Sequence, residues 1–405
     1  MIYNIRPIVL SAGIQNIVQA GLLYPINFLS SLYLIFTSKI RIKTTLDAIM
    51  ALYIAAGILS FVVNIIPNLV LDVNMVIHSV KSFLVFMTVL VYYSGSRYSP
   101  AEFYKAGMWI IVPISMAILV HSLYLVTIGG ISWYPARLMV TWASGWPQRW
   151  VMFVIIGFFY SISAMRGKLW PNFLALIFFS LIIISGTRSA FIGLFMGYFV
   201  FLIYSKNIKN IVIFMFFLVL LIVFVGMYLE EVTELFRFME VMSVLDNETG
   251  TVDAESSIGY RLVVLWPNIL KSIYSERFIF GWGHVGVSYL PEYMFYGTDI
   301  PIGEASAESQ YFDVLQRQGV IGFIFFIIIL FYGIYLSHKM SKRATGTKNH
   351  GFWIGSIAWQ VAIFMHGVTV ETVRYPPYSL FYFVFLGMLS YQYNNLEQSG
   401  SSKPG

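Results

Sequence analysis

The chain has 405 residues, of which 58% are hydrophobic, 18% aromatic and only 11% charged, with a formal net charge of +6. So little polar surface cannot cover a water-soluble body of this size, which excludes a soluble enzyme, a disordered chain and a nucleic-acid-binding domain. Apolar stretches recur at roughly the 20 residues that a membrane-spanning helix consumes, so the composition describes an all-α polytopic membrane protein. The absence of cysteine excludes disulfides and cysteine-ligated metals.

In chain order, uninterrupted apolar runs predict spans near 10–37, 46–65, 74–94, 107–128, 150–165, 170–186, 190–204, 210–228, 319–338, 352–370 and 377–394. That makes about eleven spans, ten to twelve with the tolerance on boundaries. The first run is too long for one upright helix and too short for two. Ser11, Gln15, Asn16 and Gln19 make its start polar, so a tilted or surface-lying opening helix fits it. No basic head followed by a compact apolar core opens the chain, and no cleavable signal peptide is expected. The expected organisation is an N-terminal bundle over 1–228, a large polar loop over 229–318, C-terminal helices over 319–394 and a disordered tail over 395–405.

Fourteen of the 19 acidic residues, but only five of the 25 Lys and Arg, lie between Leu229 and Gly319, leaving that segment near −9 and the rest at +15. Lys and Arg in short loops are retained in the cytoplasm. Alternate loops carry Lys39, Arg41 and Lys43, then Arg97 and Lys105, Arg166 and Lys168, Lys206 and Lys209, and finally Lys339, Lys342, Arg343 and Lys348. With these five inside, the acidic loop lies outside. Within it, apolar stripes at helical spacing predict amphipathic helices over 229–244 and 261–273, the second carrying Leu262, Leu265, Trp266, Ile269 and Ile273 and kinked by Pro267. Gly281-Trp282-Gly283 should break the chain. Ser306 is the expected N-cap of a helix running through Glu308, Tyr311, Phe312 and Leu315 straight into the span at 319.

The chain has no phosphate-binding glycine loop ending in Lys-Ser/Thr, no Asp-x-Asp, no paired-His motif and no Cys/His cluster. Neither a cofactor nor a dedicated metal site is expected, although acids of the outer loop could bind calcium weakly. Arg188 stands in Ser185-Gly186-Thr187-Arg188-Ser189-Ala190, a tight outer turn beside a helix start, where a guanidinium can fork onto a phosphate or serve as an interfacial anchor. Arg261 opens the second loop helix, to bind an anion there or to pair with Asp253 or Glu255. Lys81, roughly 10 Å into the third span at 1.5 Å per residue, either serves a polar site or snorkels outward. Glu308, read as lying in a helix's first turn, suits a carboxylate that accepts a proton, against the plainer reading of a first-turn acid. Glu304 is close enough in sequence to be confused with it. Glu371 and Arg374 are three apart in the last outer turn and either pair with each other or act directly. Arg137 and Arg149 flank a Trp-rich outer loop and can reach a glycan or phosphate, or anchor the chain. His121 and His284 read as structural.

The run Ser185-Gly-Thr-Arg188-Ser-Ala is followed, after a long outer loop, by Tyr260-Arg261, Trp266, Gly281-Trp-Gly283 and Glu308-Ser-Gln-Tyr311-Phe-Asp-Val-Leu315-Gln-Arg-Gln-Gly319-Val-Ile-Gly322. In order and spacing this resembles the O-antigen polymerase and O-antigen ligase superfamily, over roughly 180–335. The resemblance implies a GT-C-like, lipid-donor glycosyltransferase in the bacterial inner membrane. Its donor and acceptor would be undecaprenyl-pyrophosphate-linked glycans at the periplasmic face, among membrane lipids, and a chain-length-regulating membrane protein is a candidate partner. Family arginines matching Arg188 and Arg261 are associated with the donor pyrophosphate. Ligases typically have a His-Asn pair where this chain has Glu308-Ser309, which favours a polymerase. A flippase that merely binds a headgroup is the alternative from a different class, although no internal repeat of the kind transporters often show is visible.

Overall fold

The computed structural model describes residues 42–71, 73–127, 147–164, 169–185, 187–205, 260–284, 307–372 and 376–401, with a few positions between 29 and 37. The expected spans at 10–37, for the most part, and 210–228, the expected helix over 229–244, Arg137, Arg374 and Glu304 lie outside the described residues. So do the side chains of Lys81, His121 and Arg149.

The described residues are helical, without strands. The α-helices are α1 (Thr45–Leu71), α2 (Val73–Phe86), α3 (Pro100–Thr127), α4 (Pro147–Ala164), α5 (Leu169–Ser185), α6 (Arg188–Tyr204), α7 (Trp266–Glu276), α8 (Gln310–Arg343), α9 (His350–His366) and α10 (Pro376–Ser401). A 3-10 helix over Met87–Arg97 extends α2, and a π-helical turn over Tyr260–Leu265 leads into α7. Among the described residues, three helices are long and apolar enough to cross a membrane: Thr45–Ile65, Pro100–Val120 and Gln310–Arg343. Trp150–Ser163, Trp170–Ile183 and Arg188–Tyr204 are apolar but shorter.

Two helices form the centre. In α4, Trp150, Val151, Met152, Val154, Ile155, Ile156, Phe159 and Tyr160 are all buried. In α9, burial runs from Phe352 to Gln360 and on through Ala362, Ile363 and His366. Both are buried on most sides because neighbours surround them, and the polar residues of α9, Ser356, Gln360 and His366, are buried with the rest. By contrast α1 and α3 leave Leu52, Leu59, Trp109 and Ile110 exposed, as a lipid-facing wall does.

Lipid tails are as apolar as leucine, so helices associate here through close van der Waals contact, small residues and interhelical hydrogen bonds. The α6–α9 contact follows that rule. A Cβ on Gly193 would sit 2.3 Å from the Ala362 carbonyl oxygen, and one on Gly197 would sit 2.6 Å from that of Ala358. One turn further along, the Ser189 hydroxyl bonds to the His366 Nδ1 at 2.9 Å. The antiparallel register 189/366, 193/362, 197/358 therefore repeats every four residues. Gln360 ties α9 to α8 by donating to Ser337 Oγ at 2.9 Å.

The predicted straight run from Glu308 into the span at 319 is corrected by the structure. Gly319 is non-helical, with φ 64° and ψ −167°. In a continuous helix Val320 N–H would donate to the Gln316 carbonyl. Here Val320 N–H donates to the Phe278 carbonyl at 3.0 Å, and the Gln316 carbonyl accepts from Trp282 N–H at 2.7 Å. The segment 278–282 thus slots into the opened turn. Ser60 Oγ lies 2.7 Å from the Phe280 carbonyl and 2.6 Å from that of Arg317, so the hydroxyl serves both sides of the break. The backbones approach so closely that a Cβ on Gly319 would meet the Ile279 carbonyl oxygen at 2.2 Å.

At the other end of α8, Arg343 pairs with Glu397 of α10 at 3.8 Å. Asp47, at the start of α1, accepts from the Tyr92 hydroxyl at 2.6 Å and from Ser390 of α10 at 2.9 Å. The start of α1 and the ends of α8 and α10 therefore share one end of the bundle. The starts of α6 and α8 and the end of α9 share the other.

Gly193→Val forces a side chain against the α9 backbone. Overpacking of this kind costs about 1–3 kcal/mol, so the variant should melt earlier than the parent when unfolding of the purified protein is followed in detergent.

Candidate functional site

At the second end of the bundle, the Arg261 Nε donates to the Glu308 Oε2 as an ion pair, with the arginine side chain 13% exposed and the glutamate 41%. Arg261 lies in the π-helical turn, and α7 begins only at Trp266 with Pro267 in its first turn. The expected helix over 261–273 is therefore present: the π-helical turn runs straight into α7, Leu265 being itself in the α region, and Pro267 stands at the junction where the wider turn gives way to the α-helix. Leu265, Ile269 and Ile273 bury the predicted stripe against Ala307, with Trp266, Trp282, Phe312 and Leu315 packed round them; Leu262 is exposed. Trp266 also stacks on Phe312, centroids 4.9 Å apart, and its indole N–H donates to the Ala307 carbonyl at 3.1 Å. α7 is thereby fastened to the residue preceding Glu308.

Glu308 is not in a helix's first turn. α8 begins at Gln310 with Ser309 as N-cap, and Glu308 has φ 50°. A non-glycine residue in that left-handed region costs about 1–3 kcal/mol and persists only where its surroundings impose it. The surroundings are the turn after α9. Gln310 N–H is shared between the carbonyls of Gly367 at 3.0 Å and Val370 at 3.1 Å. Glu371 Oε1 accepts from Ala307 N–H at 2.7 Å, and the Thr372 hydroxyl donates to Gln310 Oε1. These bonds take the donors that a helix capped at Ser306 would have used, which is why α8 starts late.

Arg188 is the first residue of α6, with Thr187 as N-cap. Its neighbour Ser189 bonds to His366, and the chain then runs directly into the 367–372 turn that grips 307–310. The first turn of α6 and the backbone carrying Glu308 are thus tied to the same few residues. Lys81 lies on α2, while Arg137 and Arg374 are outside the described residues, as is any pairing of Glu371 with Arg374. His284 is buried, and its Nε2 lies 3.1 Å from the Gly57 carbonyl oxygen, the partner that a structural histidine needs.

A second charged pair lies deeper in α8. Arg317 Nε donates to Asp313 Oδ1 at 2.6 Å, with both side chains 7% exposed. Arg317 Nη1 also donates to the His284 carbonyl. The pair lines a cavity of ≈ 40 Å³ together with Tyr53, Ser82, Thr88, Gln310 and Gln318, room for about three waters. Its i,i+4 acid and base are visible in the sequence, but they stand among Gln310, Gln316 and Gln318 ahead of the span at 319, where nothing in the spacing marks them as buried. Ser189 and His366 carry no such signal until the register between α6 and α9 is known. Among the described residues, no group of three or more His, Asp or Glu side chains could hold a metal ion.

Residues 173–327 match the family model Wzy_C, described as O-antigen ligase. The match spans α6, α7, the Arg261–Glu308 pair and the Gly319 break, and it supports the O-antigen polymerase and ligase superfamily read from the motifs. It indicates a membrane enzyme of the O-antigen ligase or polymerase type. No curated protein sequence matches the chain.

Removing one partner of a buried ion pair leaves an uncompensated charge, at a cost of about 3–5 kcal/mol, whereas replacing both by apolar groups is often neutral. Asp313→Ala should therefore lower the melting temperature in detergent sharply, and Asp313→Ala with Arg317→Leu should recover most of the loss.

Proposed function

We infer that the protein is a polymerase that joins undecaprenyl-pyrophosphate-linked oligosaccharide repeat units into O-antigen or a related surface polysaccharide at the periplasmic face of the bacterial inner membrane. The observation that carries this reading is the Arg261–Glu308 pair, seated at the same end of the bundle as the first turn of α6 with Arg188. Both arginines lie in the motifs associated with the donor pyrophosphate. The five cationic loops, read as cytoplasmic, favour an outward-facing site.

The reaction needs a base, and cations for a leaving group. Glu308 takes the proton from an acceptor hydroxyl, the oxygen attacks the anomeric carbon of the donor glycan, and the bond from that carbon to the pyrophosphate oxygen breaks with its electron pair on the pyrophosphate. Fixed guanidinium groups meet the growing negative charge without having to reorganise. Arg188 and Arg261 fill that role. Without substrate, Arg261 is engaged by Glu308. Pyrophosphate competes for the guanidinium and frees the carboxylate as the donor arrives. Lys81, Arg137 and Arg374 remain candidates for holding the donor or its glycan.

The ligase reading is favoured by the description of the matching family, and the Glu308-Ser309 dipeptide weighs against it. The two differ in product. A polymerase given lipid-linked repeat units alone yields a ladder of lipid-linked chains, whereas a ligase needs a separate lipopolysaccharide-core acceptor.

Purified protein incubated with lipid-linked repeat units should give that ladder on a gel. Glu308→Gln and Arg188→Ala should each remain folded in the membrane and lose chain lengthening, by at least about 10²-fold for the missing base. Extension by Glu308→Gln at the parental rate would remove that residue from the mechanism. Movement of repeat units across vesicles without any ladder would favour transport instead.

A further inference from the structure

Glu308 projects from a left-handed backbone, φ 50°, that its own residue type disfavours. The restraint comes from the short turn that follows α9. On the far side of Ser309, main-chain carbonyls of Gly367 and Val370 hold Gln310 N–H. On the near side two side chains hold Ala307: the Trp266 indole N–H donates to its carbonyl at 3.1 Å, and Glu371 Oε1 accepts its N–H at 2.7 Å, so the N–H is the half of the restraint that Glu371 supplies. Ala307 and Glu371 are both buried, so water cannot readily replace the bond when the carboxylate is removed.

Resting on the reading of Glu308 as the base, we propose that Glu371 is its positioning residue: by taking the Ala307 N–H, the buried Glu371 carboxylate sets the backbone that aims Glu308 at the acceptor hydroxyl. Glu371 exchanges no proton with substrate; its work is done through a hydrogen bond to the main chain. A glutamine at 371 keeps an oxygen that can accept the same N–H, whereas an alanine does not, so the two substitutions separate the hydrogen bond from the charge.

The test compares parent, E371A and E371Q as full-length protein in lipid nanodiscs, with lipid-linked repeat units over a range of concentrations. Misplacing a reacting group by about an ångström costs about 10²-fold in rate, so E371A should lose about that much in kcat while KM stays near the parental value. E371Q should recover most of the loss and melt as the parent does, whereas E371A, with its buried Ala307 N–H left unpaired, should melt somewhat earlier while staying folded at the assay temperature. Hydrogen–deuterium exchange of the peptide holding Ala307 reads the same contact without turnover: faster exchange in E371A, parental protection in E371Q. A kcat loss that E371Q does not rescue overturns the proposal in favour of a charge effect. Parental turnover by E371A, or unchanged protection of Ala307 in it, overturns it outright. Should the parent build no ladder, the polymerase reading fails, while exchange at Ala307 still decides whether Glu371 holds that backbone.

Discussion

The antiparallel contact between α6 and α9 is the constraint on which the rest of the architecture turns. In a lipid setting apolar side chains gain little by leaving lipid for protein, so two helices stay together mainly where their backbones come close. Gly193 and Gly197 on one side, and Ala358 and Ala362 on the other, make that approach possible. The same four-residue register brings Ser189 to His366. Once it is set, the start of α6 and the end of α9 share one level, and the turn that leaves α9 reaches the backbone around Glu308.

A second device fastens the segment 260–284 to the bundle. A segment attached only by side chains could shift against the helices it packs on. Here 278–282 occupies hydrogen-bond positions inside α8, taking over the partners that Gln316 and Val320 would have shared. Gly281 and Gly319 stand in the motif run because their backbones are in mutual contact: a Cβ on Gly281 would lie 2.5 Å from the Gly319 nitrogen. With α7 following the turn that bears Arg261, and 278–282 locked into α8, the chain on the C-terminal side of Arg261 is fastened twice beside Glu308, by the Trp266–Phe312 stack and by the 278–282 backbone. The buried Asp313–Arg317 pair reinforces this, since Arg317 also holds the His284 carbonyl at the end of the same segment.

Much of this was legible from residue order, and the limits are physical. Runs such as 46–65, 170–186 and 190–204 match α1, α5 and α6 to within a few residues, apart from a longer C-terminal end in α1, because apolar length is a local property. The stripe Leu265, Ile269 and Ile273 was visible for the same reason. The break at Gly319 was not, since it depends on a backbone segment about 40 residues earlier entering the helix, and no periodicity records that. The helix start was misplaced on similar grounds. Ser306 and Ser309 are equally good caps by residue type, and the choice between them is made by the distant carbonyls of Gly367 and Val370 and by Glu371. Glu371 was seen only as a neighbour of Arg374, because a side chain's long-range main-chain partner leaves no trace in its own flanking residues.

The unequal exposure of Arg261 and Glu308 bears on how the proposed reaction could be ordered. Arg261 is the more enclosed partner and Glu308 the more open one, so an acceptor hydroxyl can approach the carboxylate from its exposed side without displacing the arginine's surroundings. A pyrophosphate drawn to Arg261 must compete with a carboxylate already bonded to it. In the proposed mechanism it does so because it carries more charge than one carboxylate and is shared with a second guanidinium, Arg188, since such paired, charge-assisted contacts are stronger than either alone. The carboxylate is then left with fewer donors at the moment when a proton must be taken up. In the proposed mechanism, donor binding and the freeing of the base are therefore two aspects of one exchange of ion pairs, and a cation within reach of the pyrophosphate counts for as much as the carboxylate itself.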